Sequence, residues 1–506
     1  MSAHAPANRG LVTISIMLAT IMQALDTTIA NVALPHMQGS LAATQDQISW
    51  VLTSYIVAAA IMTPPTGWLA ARFGRKKLFL VAIAGFTVAS LLCGIATSLP
   101  EMVLFRLLQG VFGASLVPLS QSVLLDSYPR EQHGSAMALW GIGVMLGPIL
   151  GPTLGGWLTE YYDWRWVFYI NLPVGIIAWL GVARYVPETE PRALRFDVFG
   201  FALLSLAIGA LQLMLDRGES QDWFQSPEIL IETGLAITAL LMFIVHMLTA
   251  RQPFLTPVMF RDRNFITGLI FIFIVGIILF ATMVLLPPFL QNLMGYPVLL
   301  TGLLLAPRGI GTMLAMMLVG RLIARMDPRI LIFCGFCLIS FSLWEMTTFN
   351  TDVSRFTLIW TGVMQGFGLG LVFVPLSTIT FATLAPQHRT EAASMFSLIR
   401  NIGSSIGISL VISLLARNTQ INHAQLAEHI NPFNPLLRSG ELILTDPRTA
   451  PTLLAMLDAE VNRQAAIISY LNDFRLMMFA TLIAIPLLPL LRRPLQSAPA
   501  GKVAAE

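Results

Sequence analysis

What constrains this chain most is a series of apolar stretches, each about long enough to cross a bilayer, that recurs from residue 11 to residue 491. A crossing helix takes about 20 residues, because each residue rises about 1.5 Å through a hydrocarbon core about 30 Å thick. Fourteen stretches meet that length, at approximately 11–34, 49–71, 78–98, 102–125, 135–159, 167–186, 198–216, 229–250, 265–289, 301–324, 330–349, 356–382, 393–416 and 471–491. Together they need about 280 residues, a share close to the 56% of the 506 residues that are hydrophobic. Charged residues make up only 11%, against about 25% in soluble chains, so there is too little charge for a water-facing surface. The chain reads as an all-α polytopic membrane protein. A net charge of +3 with three lysines leaves no basic domain for nucleic acid. The first stretch is too long for the core of a signal peptide and contains Asp26, so it reads as a retained first helix. Cys93, Cys334 and Cys337 all lie in apolar runs and read as packing residues, with no disulfide framework or metal site.

An even number of crossings puts both termini on one side. With that side cytoplasmic, the inner loops and tails hold 19 of the 30 basic residues, while the short outer loops hold only Arg165, Arg217 and Arg355. Shifting the frame by one helix inverts the asymmetry, and basic loops face the cytoplasm. Gly67-Trp-Leu69-Ala-Ala71-Arg72 recurs 253 residues later as Gly320-Arg-Leu322-Ile-Ala324-Arg325, which marks two similar halves. Duplicated halves around a midplane site are the architecture of secondary transporters. The expected organisation is a six-helix half over residues 1–190, two additional linker helices over 191–252, and a second six-helix half over 253–506 that includes a long periplasmic loop at 417–470.

Several local patterns carry chemistry. After the second stretch, Gly67, Arg72, Gly74, Arg75, Lys76 and Lys77 combine glycines that let helix ends approach with cations suited to helix C-termini and anionic headgroups. In the fourth, Arg106 and Gln109 stand three residues apart on one helix face, which suits a wet interior rather than lipid. The fifth carries Gly143, Gly147, Gly151 and Gly155 at intervals of four, a smooth stripe for close helix contact, with Pro148 and Pro152 fixing where it bends. Asp26 is the one carboxylate well inside a span, apart from Glu345 nearer the outer end of the eleventh. Desolvation and a nearby cation pull a carboxyl's proton affinity in opposite directions, so such a group can bind a proton on one side and release it on the other. Gln365, Arg400 and Asn401 join Arg106 and Gln109 as polar candidates for a substrate cavity, and 24 Met with 30 Phe offer an adaptable apolar lining. None of the three lysines sits in a phosphate-loop motif, and the scattered histidines form no catalytic or metal cluster, so neither ATP hydrolysis nor enzyme chemistry is indicated.

These elements resemble those of the major facilitator superfamily. The Gly67–Lys77 loop resembles its signature loop, with Ala71 where the usual acidic residue of a charge latch falls. Leu104-Phe-Arg106-Leu-Leu-Gln109-Gly110 resembles its buried-arginine motif, and the Gly143–Gly156 segment its antiporter motif. Leu25-Asp26-Thr27-Thr28-Ile29-Ala30-Asn31 resembles the first-helix signature of the fourteen-helix drug:proton antiporters. Trp164–Pro173, Gln212–Gly218 and the outer His423-Ala-Gln-Leu and Asn431-Pro-Phe-Asn434-Pro narrow the likeness to the EmrB type of multidrug exporter.

The resemblance implies a major facilitator fold with two extra central helices, in the cell inner membrane. It implies a proton-driven antiporter that exports hydrophobic or amphipathic toxic compounds, with Asp26 and then Glu345 as proton-coupling candidates. The loop and stripe residues named above would serve gating. No cofactor is needed beyond the proton-motive force: one charge crossing 100 mV yields about 2.3 kcal/mol, enough for a roughly 50-fold gradient. Partners implied are an EmrA-like periplasmic membrane fusion adaptor and an outer-membrane channel, with the amphipathic stretch around Thr452 as a docking surface. A more selective exporter of lysolipids, fatty acids or a siderophore is the alternative.

Overall fold

The computed structural model describes residues 8–192, 195–323, 325–430 and 450–492. Among the described residues thirteen helices are long and apolar enough to cross a membrane. The crossing expected at 49–71 is the fourteenth: Pro64 and Pro65 break it into Trp50–Met62 and Thr66–Phe73, because proline lacks the N–H and clashes with the preceding turn. In chain order we number the crossings α1 (Arg9–Ser40), α2 (the two pieces just given), α3 (Arg75–Ile95), α4 (Leu99–Gly113 and Leu116–Ser127), α5 (His133–Tyr161) and α6 (Asn171–Tyr185). The linker pair is α7 (Val198–Arg217) and α8 (Pro227–Thr249). The last six are α9 (Arg263–Pro288), α10 (Val298–Leu322), α11 (Pro328–Met346), α12 (Arg355–Ala382), α13 (Arg389–Ala427) and α14 (Ala450–Ala484).

Packing repeats between the halves. In the first, α1 lies against α5 and α6, α2 against α4, and α3 against α4 and α6; in the second, α9 lies against α13 and α14, α10 against α12, and α11 against α12 and α14. Small residues make the closest approaches, as expected where lipid gives no hydrophobic drive between helices. Gly143, Gly147, Gly151 and Gly155 of α5 face Met17, the Ala24 main chain, Thr28 and Ile29 of α1, and Thr28 Oγ1 donates to the Gly147 carbonyl at 3.0 Å. Gly403 and Gly407 of α13 face Phe273 and Ile277 of α9 in the same manner, a second stripe that the sequence reading did not single out. The side chains of Pro148 and Pro152 lie outside the described residues.

The halves are joined by α5 against α10 and α12, and by α4 and the second piece of α2 against α13. Helix α7 bridges them: Asp216 accepts from Thr53 of α2, while Gln212 and the Leu215 carbonyl accept from Ser405 and Ser409 of α13 at 3.0 and 2.9 Å. On the face that carries the N-terminus, Ser122 of α4 meets Thr390 of α13 oxygen to oxygen at 2.7 Å, and Ser135 of α5 donates to the Gly320 carbonyl of α10 at 2.8 Å.

The outer segment expected as a loop at 417–470 differs. At its two ends α13 and α14 run on as helices, to Ala427 and from Ala450, so their 39 and 35 residues rise about 58 and 52 Å, well beyond the hydrocarbon core. Few of the described residues in these ends are buried, so the stretches are polar, and the two helices touch each other along one side. Asn422 donates to Ser469 at 3.0 Å, His423 meets Asp458 at 3.1 Å, and Val461 and Ala465 are buried. The Asn431–Pro435 motif lies outside the described residues.

Because the Ser122 and Thr390 oxygens touch, a Ser122→Cys/Thr390→Cys pair is expected to form a disulfide on mild oxidation without disturbing the fold. The check is loss of labelling at both positions by a thiol-reactive polyethylene glycol applied after denaturation, restored by reductant. Free thiols after oxidation would contradict the closed face described here.

Candidate functional site

Asp26 stands midway along α1 and points into the first half, where it is fully buried with Arg106 and Gln109 of α4. Arg106 Nη1 donates to Asp26 Oδ2 at 2.7 Å and to Gln109 Oε1 at 2.7 Å. Asp26 Oδ1 accepts from Gln109 Nε2 at 2.8 Å and from Asn171 Nδ2 of α6 at 2.9 Å. Behind these, Arg106 Nε donates to the Val51 carbonyl of α2 at 3.1 Å, and Asn171 also reaches Ser90 of α3 at 2.9 Å. The guanidinium lies over the Tyr55 ring at 4.3 Å, and Tyr55 accepts from Gln23 at 3.2 Å. Five helices thus meet in one polar network that water does not reach.

Such a pair persists because each partner removes the other's burial penalty. An isolated ion costs several kcal/mol to bury, and deleting one member of a buried pair costs about 3–5 kcal/mol. The spacing of Arg106 and Gln109, read in sequence as one helix face, is what lets both address a single carboxylate. Asn171 and Tyr55 were missed as members. Asn171 stands in the Trp164–Pro173 segment that carried the family likeness, but nothing in its neighbourhood pointed to Asp26.

The other candidates lie apart. Gln365 of α12 is fully buried with neither end of its amide bonded among the described residues. Arg400 and Asn401 are partly exposed on α13 and meet each other at 3.5 Å. Glu345 sits on α11, half-buried, with Oε2 unbonded among the described residues. Of the five residues grouped in sequence as one cavity network, Arg106 and Gln109 therefore join Asp26 inside the first half, and Gln365, Arg400 and Asn401 belong to the second. Asp473 of α14, at the edge of the last expected span, is a further membrane carboxylate, 1% exposed and with Oδ2 unbonded.

At the N-terminal face the signature loop turns at Gly74, whose φ of 89° is open to glycine at little cost. Arg75 pairs with Asp126 at the end of α4, and the same carboxylate accepts from Arg389 of α13 at 2.6 Å. Asp126 therefore ties the loop and both halves together. Gly67 lies against α13, where an added Cβ would come within 2.8 Å of Glu391 Cα, and the Glu391 carboxylate is held by Thr256 and lies 3.8 Å from His388. Ala71, which lacks the acid, contributes its carbonyl to Arg192 N at 2.8 Å. Arg72 is exposed.

Fourteen crossings in two similarly packed halves, with a sealed ion pair in one and a charged bridge across the seam, define a polytopic secondary transporter. The Major Facilitator Superfamily family model matches residues 16–408, and the chain belongs to that superfamily, in its EmrB-type branch. It is 40% identical to the "Multidrug export protein EmrB" of Escherichia coli K12 over 428 residues, 84% of each chain. It is 38% identical to the "Fatty acid resistance protein FarB" of Neisseria gonorrhoeae over 494 residues, 97% of each chain. The fold superposes on the solved proton:xylose symporter XylE with a TM-score of 0.59 at 12% identity, covering 94% of this chain and 95% of that one.

Arg106→Gln is expected to lower thermal stability in detergent, because it leaves Asp26 buried without a cation, by about 3–5 kcal/mol. Adding Asp26→Asn to that variant is expected to recover most of the loss, since two neutral amides then share the site. A double variant no more stable than Arg106→Gln, measured by thermal unfolding of the purified protein, would show that the pair does not stabilise the half.

Proposed function

We propose that this transporter exports hydrophobic or amphipathic toxic compounds across the inner membrane in exchange for protons, with both termini in the cytoplasm. The observation that carries the reading is the sealed Asp26–Arg106–Gln109–Asn171 network in the middle of the first half. A carboxylate with no exposed surface cannot trade protons with water unless the helices around it move. Protonating Asp26 removes the charge that balances Arg106, so proton uptake and helix rearrangement become one event. The multidrug export named for the relatives, and the excess of arginine in the loops of the N-terminal face, support the substrate class and the orientation.

In this scheme residues 1–190 and 253–506 are the moving halves and 191–252 the linker. Gly143, Gly147, Gly151 and Gly155 give the smooth seam along which α5 slides on α1. Arg75, Asp126 and Arg389 form the latch of the inward-closed state, supplying from α4 the acid that Ala71 lacks. Glu345 is the second proton candidate; Gln365, Arg400 and Asn401 contribute the polar part of the substrate path. The extended α13–α14 pair is the surface we assign to a periplasmic adaptor leading to an outer-membrane channel. A narrower exporter of fatty acids is the second reading, favoured by the relative named for fatty acid resistance, which matches over nearly its whole length.

In proteoliposomes with an imposed proton gradient, the native chain is expected to drive dye efflux. Asp26→Asn is expected to abolish the gradient-driven component while dye binding survives. If Asp26→Asn pumps normally, the proton site is elsewhere. Asp126→Asn removes the shared acid of the latch and is expected to raise thiol labelling of single cysteines behind the N-terminal face, such as Ser122→Cys; unchanged labelling would remove Asp126 from gating.

A further inference from the structure

The second half repeats the first in backbone but not in charge. The offset of 253 residues that relates Gly67 to Gly320 also carries Asp26 to Leu279 and Tyr55 to Arg308. Packing keeps the correspondence: Gly110 of α4 presses on the Tyr55 carbonyl, and Gly366 of α12 presses on the Arg308 carbonyl. Gln109 before Gly110 is matched by Gln365 before Gly366, but the place of Arg106 is taken by Gly362. An added Cβ at Gly362 would lie 3.7 Å from Arg308 Cβ, so the space the first half fills from α4 is filled here from α10.

The arginine has thus moved to the neighbouring helix, and its carboxylate is gone. In the place of Asp26, Leu279 offers only its main-chain carbonyl, which accepts from Arg308 Nη2 at 3.3 Å beside Thr282 Oγ1 at 2.8 Å. One turn away on α9, Gly276 admits the main chain of α13 at Arg400. The Arg400 guanidinium reaches only Asn401, and its buried Nε has no acceptor among the described residues. Arg308 is 9% exposed. Among the described residues, Glu345 and Asp473 of this half's membrane helices each keep an oxygen unbonded and pair with neither arginine.

A guanidinium cannot shed its proton in a protein, so both groups hold full positive charge at mid-membrane depth with only neutral acceptors. The planar fork matches a carboxylate, and an anion arriving there recovers what burial of the cations costs. Phe280 and Met283, the chain neighbours of Leu279 and Thr282, are half-buried on the same helix. Resting on the exporter reading above, we propose that Arg308 and Arg400 receive the anionic head of the transported amphiphile, so that the protein takes apolar-tailed carboxylates ahead of cations of the same length.

Calorimetry on the purified full-length chain with dodecanoate and with dodecyltrimethylammonium tests this without any gradient. The native protein is expected to bind dodecanoate the more tightly. Arg308→Gln and Arg400→Gln are each expected to raise the dodecanoate Kd by about tenfold and leave the cation's Kd unchanged, with Arg→Lys falling between. Equal native affinities, no effect of either substitution, or weakening of both probes alike would overturn the assignment. If Arg308→Gln does not fold, Arg308→Lys and Arg400→Gln decide by the same criteria. Selective dodecanoate binding in a native chain that moves neither these probes nor dye under a proton gradient would keep Arg308 and Arg400 as an anion site and end the exporter reading.

Discussion

Everything in the first half is arranged around one fact: a carboxylate and a guanidinium are both shut away from water in the membrane interior. Neither is tolerable alone there, and the ion pair is acceptable only when the remaining donors and acceptors are met. That requirement recruits Gln109 and Asn171 to the carboxylate, Val51 to the guanidinium, and the Tyr55 ring to its face. Because these groups come from α1, α2, α4 and α6, with Ser90 of α3 behind them, the pair fixes how the helices sit as firmly as their apolar contacts do. The glycine contacts serve the same end. Without a side chain at Gly110, α4 can bring Arg106 and Gln109 close enough to α2 to reach Val51 and to lie over Tyr55.

Much of this was legible in the sequence. Apolar length located all fourteen crossings, since bilayer thickness sets a minimum that soluble folds do not impose. Its failures have physical causes. Pro64 and Pro65 interrupt a helix without lowering hydropathy, so the break in the second crossing was invisible to it. Polarity ends an apolar run but not a helix, so the continuation of α13 and α14 beyond their apolar runs, held by contacts such as Asn422 with Ser469, was grouped into one long loop in which only the stretch around Thr452 read as helix-prone. For the site, Asp26, Arg106 and Gln109 could be found because a charge in an apolar run is costly and therefore meaningful. Asn171 and Ser90 could not, because neutral polar residues in membrane helices more often bond within their own turn, as Thr20 does with Ile16. Arg106 and Gln109, grouped in sequence with a substrate cavity and polar network, meet Asp26: spacing shows which residues share a face, and only packing shows what that face meets.

Comparing the halves separates what duplication keeps from what it frees. Close contacts of glycine against main chain recur, Gly110 on Tyr55 and Gly366 on Arg308, because backbone packing admits few solutions. Charges do not recur. The first half balances its arginine internally, and the second leaves two without carboxylates. A balanced network can keep its geometry without any further ligand, whereas an unbalanced one gains by taking up an anion, so the same scaffold supports unlike tasks on its two sides.

Helix α4 links the buried pair to the N-terminal face. Arg106 lies in its first piece and Asp126 near the end of its second, 20 residues on and therefore about 30 Å away. Between them the helix is broken at Ala114 and Ser115, so the two pieces need not move as one rod. Yet each piece is anchored by a charge-assisted bond: Arg106, midway along the first, to Asp26, and Asp126, near the end of the second, to Arg75 and Arg389. Losing the charge on either piece loosens that piece alone, and the join decides how much of the displacement is passed on. A helix in two pieces with an ion pair on each can therefore hold both anchors in register in one state, and release them in sequence on the way to another, without the unpaired charge that simultaneous rupture would bury.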